Sequence, residues 1–388
     1  MISAGEKPMT HSDHKSHPTL AKGLEGIVVD HSAISRVIPE LKSLMYYGYA
    51  IGDLASNSSF EEVAFLLLNG ELPNNKELSD FIKAERKARP LSSNLLSIIK
   101  LMPEAHPMDA LRTAVSFLGC EDPEHHNNSR DVNYQKAIRL LAGIPGIIAS
   151  HYRVRQGLKP IPAREDISFP ENFFHMCFDR IPPKEVVNAL NISLILYAEH
   201  TFNASTFTAR VISSSWSDIY SAVCGAIGSL KGPLHGGANE AVMRLFDEID
   251  RPENAADWVH KALKDKKKIM GFGHRVYKNG DSRVPTMKEC LKDLSGWKQD
   301  WHYIEIYDIV ENIMVQEKNI YPNLDFPTGP AYHLMDFETD LFTPIFVMSR
   351  ITGWSAHIME QLADNKLIRP LSSYSGPDTR PVVPLKDR

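Results

Sequence analysis

The order of apolar and polar positions along the chain is that of a helical protein. Apolar residues recur at three- and four-residue spacing through one segment after another, and the strict alternation that marks a half-buried strand is nearly absent. Residues 60–68 (FEEVAFLLL) follow the capping residues Ser58 and Ser59 and stop at Asn69-Gly70, which predicts one helix. Residues 75–87 and 92–102 repeat the theme with prolines between them, and residues 106–115 open a further helix. Residues 134–157 read as a long apolar helix broken near Gly143 and Pro145, because proline lacks the amide donor and crowds the preceding turn. Residues 184–197 begin after prolines and run into Ala198-Glu199-His200, and residues 346–360 form a late helix. Only Val28-Val29 and residues 34–37 look like strands, and they predict a small hairpin at the start of the folded part. The expected fold class is all-α.

Length and charge narrow the picture further. A chain of 388 residues is too long for one simple core, so two domains are expected. With 43% hydrophobic and 23% charged residues it has the composition of an ordinary globular protein. The net charge of -5 gives no reason to expect a nucleic-acid partner, and any anion must be held by a local cluster of cations. Cys120, Cys177, Cys224 and Cys290 are far apart with no CxxC, so neither a zinc knuckle nor a disulfide framework is expected, as suits a reducing compartment. The first 22 residues are polar, contain no arginine and carry Glu6 and Asp13, unlike a secretory signal or a mitochondrial presequence. No apolar run approaches the ~20 residues needed to cross a bilayer. The expectation is a cytoplasmic protein, away from membranes, with a disordered N-terminus over residues 1–22. The His/Asn-rich stretch 124–130 reads as an exposed loop, and the small residues of 221–230 (SAVCGAIGSL) suit close helix packing, within the chain or across a dimer.

Candidate chemistry gathers in four places. Residues 266–283 (KKKIMGFGHRVYKNGDSR) combine cations, a glycine-flexed turn and His274, a combination that suits an anion meeting a proton donor. Residues 232–239 (GPLHGGAN) set His235 just before a helix whose apolar positions Ala238, Val242, Leu245, Phe246 and Ile249 fall at helical spacing. The partial positive charge of a helix N-terminus disfavours an imidazolium there, so a neutral His235 could donate a hydrogen bond to a developing oxyanion. Asp325 lies among aromatic and proline neighbours in YPNLDFPTGP, where desolvation would raise its pKa towards useful base strength, although the same residues also suit a plain turn. Arg283, Arg350 and Arg369 are candidates for bidentate carboxylate recognition, and with His200 they could hold a small dicarboxylate.

These motifs resemble one family. GPLHGGAN around His235, GFGHRVYKNGDSR around His274, PNLD ending at Asp325, SRITGW around Arg350, IRP around Arg369 and AEHTFNASTFTARV around His200 are similar in order and spacing to citrate synthases, from about Leu24 onward. HPMDALRTAVSFLGC, Tyr197-Ala198-Glu199-His200, PNLDFPTGPAY and the ending DNKLIRP resemble the 2-methylcitrate synthase branch. The resemblance implies a large helical domain (residues 23–238 and 338–388), a smaller helical domain inserted at 239–337 that closes over the site, and a homodimer with a shared active site. It implies an acyltransferase that condenses oxaloacetate with propionyl-CoA, and also acetyl-CoA, then hydrolyses the thioester, with no cofactor beyond the CoA thioester substrate and no metal.

Carried over residue by residue, the resemblance has His235 hydrogen-bond the thioester carbonyl while Asp325 removes the α-proton and His274 polarises the ketone. His200, Arg283, Arg350 and Arg369 would bind oxaloacetate, Arg369 arriving from the other subunit. Ile269, Met270, Gly271, Phe272, Gly273, Lys278 and Asn323 would meet CoA, and Tyr197 and Leu324 would line the acyl pocket. The chain departs from the family at Tyr46-Tyr47-Gly48-Tyr49, where many members carry Tyr-Arg-Gly-Tyr. Three alternatives are a citrate synthase proper using acetyl-CoA, a non-catalytic CoA-binding protein on the same scaffold, and a histidine-rich metalloprotein.

Overall fold

The structure, a computed structural model, describes residues 20–38, 43–274, 276, 277 and 280–388. Residues 1–19 of the expected disordered N-terminus, and Lys278 among the expected CoA contacts, lie outside them. The described chain forms two compact units: the residues up to His31 with Arg369–Arg388, and Ser32–Ile368. In the terminal unit the only regular structure among the described residues is two single 3-10 turns, Lys22–Leu24 and Leu385–Asp387. Val28 and Val29 are not a strand. They carry no pairing partner, and Val28 is exposed.

The main unit is all-α apart from a three-stranded antiparallel sheet, β1 (Ser35–Ile38), β2 (Ser43–Tyr46) and β3 (Tyr49–Ala50), in that order. Leu44 and Tyr46 alternate inward from β2 and are fully buried. Tyr46 faces Tyr49 across a two-residue turn in which both Tyr47 (φ 45°) and Gly48 (φ 90°) take positive φ. Turns of that hand match the twist of the strands they join.

Helices follow in sequence, beginning with α1 (Ile51–Asn57), α2 (Phe60–Asn69), α3 (Asn75–Lys87), α4 (Ser93–Lys100) and α5 (Pro107–Cys120). The caps are written locally: Ser59 with Glu62, and Asn74 with Glu77, close capping boxes at the starts of α2 and α3. Next, α6 (Arg130–Arg155) is one continuous helix of 26 residues, where a break was expected at Gly143 and Pro145. Every residue from Leu140 to Tyr152 is buried, with Leu91 packed against Gly143 and Gly146. Breaking the helix would unpack that surface, which costs more than the one hydrogen bond Pro145 omits.

The chain continues through α7 (Phe169–Phe178), α8 (Lys184–Tyr197), α9 (Ala204–Ser213) and α10 (Ile219–Leu230). A run of helices that pack chiefly on one another follows: α11 (Ala238–Ile249), α12 (Pro252–Lys264), α13 (Val284–Lys298), α14 (His302–Lys318) and α15 (Asp325–Leu334). The last helix, α16 (Phe342–Ala363), is buried on all sides from Phe342 to Ile358, as befits a central helix. It packs on α2, α6, α8, α9 and α10. No helix among the described residues is long and apolar enough to cross a membrane.

Candidate active site

Asp325 is the first residue of α15, and the loop before it is stapled to the glycine turn. The Asn323 amide N–H donates to Gly271 O (2.8 Å), the Gly273 N–H donates to Tyr321 O (2.8 Å), and Asn323 Nδ2 donates to Gly273 O (3.0 Å). Asn323 Oδ1 also accepts from the Asp325 N–H (3.1 Å). Gly271 has φ 81°, and a Cβ there would come within 2.8 Å of Val242 and 2.9 Å of Phe326, so no larger residue fits. The Tyr197 hydroxyl donates to Asp325 Oδ1 at 2.7 Å. Burial pushes the Asp325 pKa up to about 6, against the lowering effects of that hydrogen bond and of Arg283.

His235 sits on a tight turn in which its own N–H donates to Gly232 O (2.9 Å). A Cβ at Gly236 would press into Leu230, within 2.6 Å of Cγ, so the His-Gly-Gly sequence is what allows the turn to lie so close to α10. His235 Nε2 accepts the Ser205 backbone N–H (3.3 Å) and lies 2.8 Å from Ser205 Oγ. A backbone amide can only donate, so the neutral ring carries its proton on Nδ1. The pKa of His235 is lowered to about 3, by burial first and by Arg350 second. The neutrality expected of this residue is present, and its cause is desolvation and a neighbouring guanidinium.

His274 is fixed in the opposite tautomer. Its Nδ1 accepts the N–H groups of Val276 (3.1 Å) and Tyr277 (3.3 Å), which leaves the proton of the neutral ring on Nε2. The ring lies 5.0 Å from that of His200 and 4.9 Å from that of Tyr277. His200 is buried, and its Nε2 has no hydrogen-bond partner among the described residues. Burial, then Arg283, His274 and Arg350, hold it well below the ordinary histidine pKa.

The two guanidiniums beside His200 differ in how they are compensated. Arg283 is gripped by Asp281 through Nε (2.9 Å) and Nη2 (2.7 Å), and Asp281 Oδ2 also accepts the Leu324 N–H (3.3 Å). Arg350 donates from Nε to the Tyr197 carbonyl (2.7 Å), lies 4.7 Å above the Phe346 ring, and has no carboxylate within ion-pair distance among the described residues. Phe346 in turn packs against Tyr197 with the rings tilted (centroids 4.3 Å apart) and faces His235 edge-on (6.3 Å). Arg350 and Phe346 therefore join the Asp325–Tyr197 pair and His235 on one side to His200 on the other. A buried guanidinium next to an unpartnered imidazole nitrogen is a place for an anion.

Among the remaining candidates, Ile269, Gly271, Phe272, Leu324 and Tyr197 are buried, Met270 is half-buried and Gly273 is exposed. Arg369 belongs to the terminal unit and is exposed there. The residues that sequence reasoning passed over are Ser205, which sets the tautomer of His235, Asp281, which holds Arg283, and Phe346, which joins the two halves of the site. Ser205 follows the helix cap Asn203 and reads as part of the cap, and nothing local links residue 205 to residue 235.

Known proteins of one family match the chain over nearly its whole length. The family model for the citrate synthase C-terminal domain matches residues 23–371. A citrate synthase of Mycolicibacterium smegmatis is 53% identical over 376 residues, 97% of this chain and 100% of that one. A 2-methylcitrate synthase of Mycobacterium tuberculosis is 53% identical over 378 residues, covering 97% and 96%. Among solved structures, the citrate synthase of Thermotoga maritima superposes with a TM-score of 0.87 at 37% identity, covering 95% of this chain and 99% of that one. The citrate synthase of Thermoplasma acidophilum, in a ternary complex with carboxymethyl coenzyme A and oxaloacetate, superposes with a TM-score of 0.91 at 32% identity, covering 95% and 100%. On these matches over nearly its whole length, the chain belongs to the citrate synthase family.

Proposed function

We propose that the protein condenses oxaloacetate with a short acyl-CoA thioester, propionyl-CoA ahead of acetyl-CoA, and then hydrolyses the product thioester to 2-methylcitrate (or citrate) and CoA. Asp325 takes a proton from the α-carbon while His235 Nδ1–H hydrogen-bonds the thioester oxygen, on which the enolate charge collects. The carbon then attacks the oxaloacetate ketone, whose oxygen is met by His274 Nε2–H, and water cleaves the thioester afterwards. A thioester α-proton is so weakly acidic that a carboxylate succeeds only opposite a pre-placed oxyanion donor. His200, Arg283 and Arg350 hold oxaloacetate, and Arg369 completes the grip from the other subunit of a homodimer. Ile269 to Gly273 and Asn323 line the CoA path, with Tyr197 and Leu324 at the acyl group. Closure of the segment 239–337 over the remainder excludes water until the carbon–carbon bond has formed. The same reading has a cytoplasmic acyltransferase without metal or organic cofactor, serving propionate breakdown or the tricarboxylic acid cycle.

The observation that carries this reading is the pair of opposite tautomers: backbone amides occupy His235 Nε2 and His274 Nδ1, in a site whose carboxylate, Asp325, is raised to about 6. Release of free thiol, with oxaloacetate and either propionyl-CoA or acetyl-CoA, tests it. One methylene in an apolar pocket is worth only ~1–3 kcal/mol, so measurable turnover of both is expected with the larger kcat/KM for propionyl-CoA. A larger value for acetyl-CoA makes the protein a citrate synthase proper.

Two predictions belong to this mechanism. The base works ionised, so kcat/KM is expected to fall about tenfold per pH unit below a pKa of about 6 and to lie flat just above it. Tyr197→Phe removes a bond that holds that pKa down, so the acidic limb should move to higher pH. A limb that stays in place would separate Tyr197 from the base. Arg369→Ala is expected to raise KM for oxaloacetate by about tenfold or more, the usual scale for a lost charge-assisted pair, with little change for acyl-CoA. Unchanged oxaloacetate affinity would remove Arg369 from the site.

A further inference from the structure

The residue before His200 is Glu199, whose carboxylate is fully buried. Its Oε1 accepts from Ser35 Oγ (2.9 Å) and lies 2.9 Å from His357 Nε2. Arg210 Nη1 lies 3.2 Å from His357 Nδ1 and can only donate, so the His357 proton is on Nε2 and directed at Glu199. Arg210 is itself paired with Glu360 (2.7 Å). Along α16, Arg350, Gly353 and His357 fall at i, i+3 and i+7 and share one face. Glu199 lies against that face: a Cβ at Gly353 would collide with Glu199 Oε2 and stand 2.5 Å from the Ala198 carbonyl.

The same group reaches around His200. Ser35 Oγ, while donating to Glu199, accepts the Thr201 N–H at 2.9 Å, so the serine spans the imidazole-bearing residue from one side to the other. Thr201 has φ 51°, a left-handed conformation that a β-branched residue adopts only when its surroundings enforce it. The Tyr46 hydroxyl donates to Glu199 O (3.0 Å) and accepts the Glu199 N–H (3.2 Å). Without this clamp nothing else among the described hydrogen bonds holds the Thr201 amide.

We propose that Glu199 is a positioning residue of the oxaloacetate subsite, acting through Ser35 to hold the strained His200–Thr201 turn and so to aim His200 at the substrate. The inference rests on the reading that oxaloacetate is the ligand of His200 and Arg350. Charge and positioning predict opposite signs. Removing an anion beside a site for a dianion should tighten binding, whereas releasing the turn should weaken it.

The test compares Glu199→Ala with Glu199→Gln, which keeps an acceptor for Ser35 and His357. Oxaloacetate binding is measured by titration calorimetry without acyl-CoA, and KM is measured for each substrate. Glu199→Ala is expected to weaken oxaloacetate by about tenfold or more, the scale of a lost hydrogen bond to a charged group, while KM for acyl-CoA stays near wild type. Glu199→Gln should recover most of the affinity. Tighter binding in both variants, unchanged binding in Glu199→Ala, or equal losses for both substrates would overturn the proposal. If Glu199→Ala fails to fold, Ser35→Ala decides: a selective rise in KM for oxaloacetate supports the clamp, and a wild-type value overturns it. The unsubstituted protein is run alongside, and its own failure to bind oxaloacetate would refute the underlying functional reading, and this inference with it.

Discussion

Asp325→Asn is expected to lower kcat by about 10³-fold or more, towards the upper end of what a positioned base contributes, while leaving the fold and oxaloacetate binding intact. The asparagine keeps an oxygen to accept the Tyr197 hydroxyl and an unchanged backbone for the cap that Asn323 makes, so the start of α15 has no reason to move. No neighbour can substitute. Asp281, which contributes to the field at Asp325, is committed to Arg283 through both oxygens, and that pairing holds it below the ordinary carboxylate range in spite of burial. Steady-state turnover paired with calorimetric titration of oxaloacetate checks the prediction. Near-normal turnover in a folded variant would remove Asp325 from the chemistry.

His235→Ala is expected to cost roughly 10²- to 10³-fold in kcat, the usual consequence of deleting one oxyanion donor. The expectation depends on the ring being neutral with its proton on Nδ1, and both conditions come from packing. Burial and Arg350 bring the pKa to about 3, so the ring stays uncharged throughout the working range. The Ser205 amide fixes which nitrogen donates. Trp354 Nε1 donates to Ser205 Oγ (3.1 Å) and so ties that serine to α16. A variant whose KM for acyl-CoA rises while kcat is unchanged would show that His235 only binds the thioester.

Much of this protein is legible in its sequence because its helices carry their own signals. The capping boxes at Ser59 and Asn74, the proline at the start of α5 and the apolar stripe of α11 are all local. His235 and His274 stand out for the same reason, each in a short glycine-containing turn, and Asp325 stands out where a proline-containing loop meets the start of α15. What the sequence hides is what depends on a distant partner. Pro145 reads as a helix breaker until Leu91 and the surrounding helices are packed around it. Val28-Val29 has the residues of a strand, but the sheet pairs β1 with β2, formed by the less apolar Ser43–Tyr46. Ser205 and Glu199 meet side chains 30 and 158 positions away, and only the fold says which. Tyr47 occupies a hairpin turn at positive φ.

In the proposed mechanism a half-buried aspartate, set against a neutral imidazole donor, ionises the α-carbon of an acyl thioester. Incorporation of solvent deuterium into the α-carbon of propionyl-CoA, followed by mass spectrometry, isolates that step. The site is filled with a four-carbon 2-hydroxy dicarboxylate, which occupies the oxaloacetate subsite and offers no ketone to attack. Exchange is expected with the unsubstituted protein, and is expected to disappear in Asp325→Asn and to fall steeply in His235→Ala. Exchange at an undiminished rate in Asp325→Asn would contradict that mechanism.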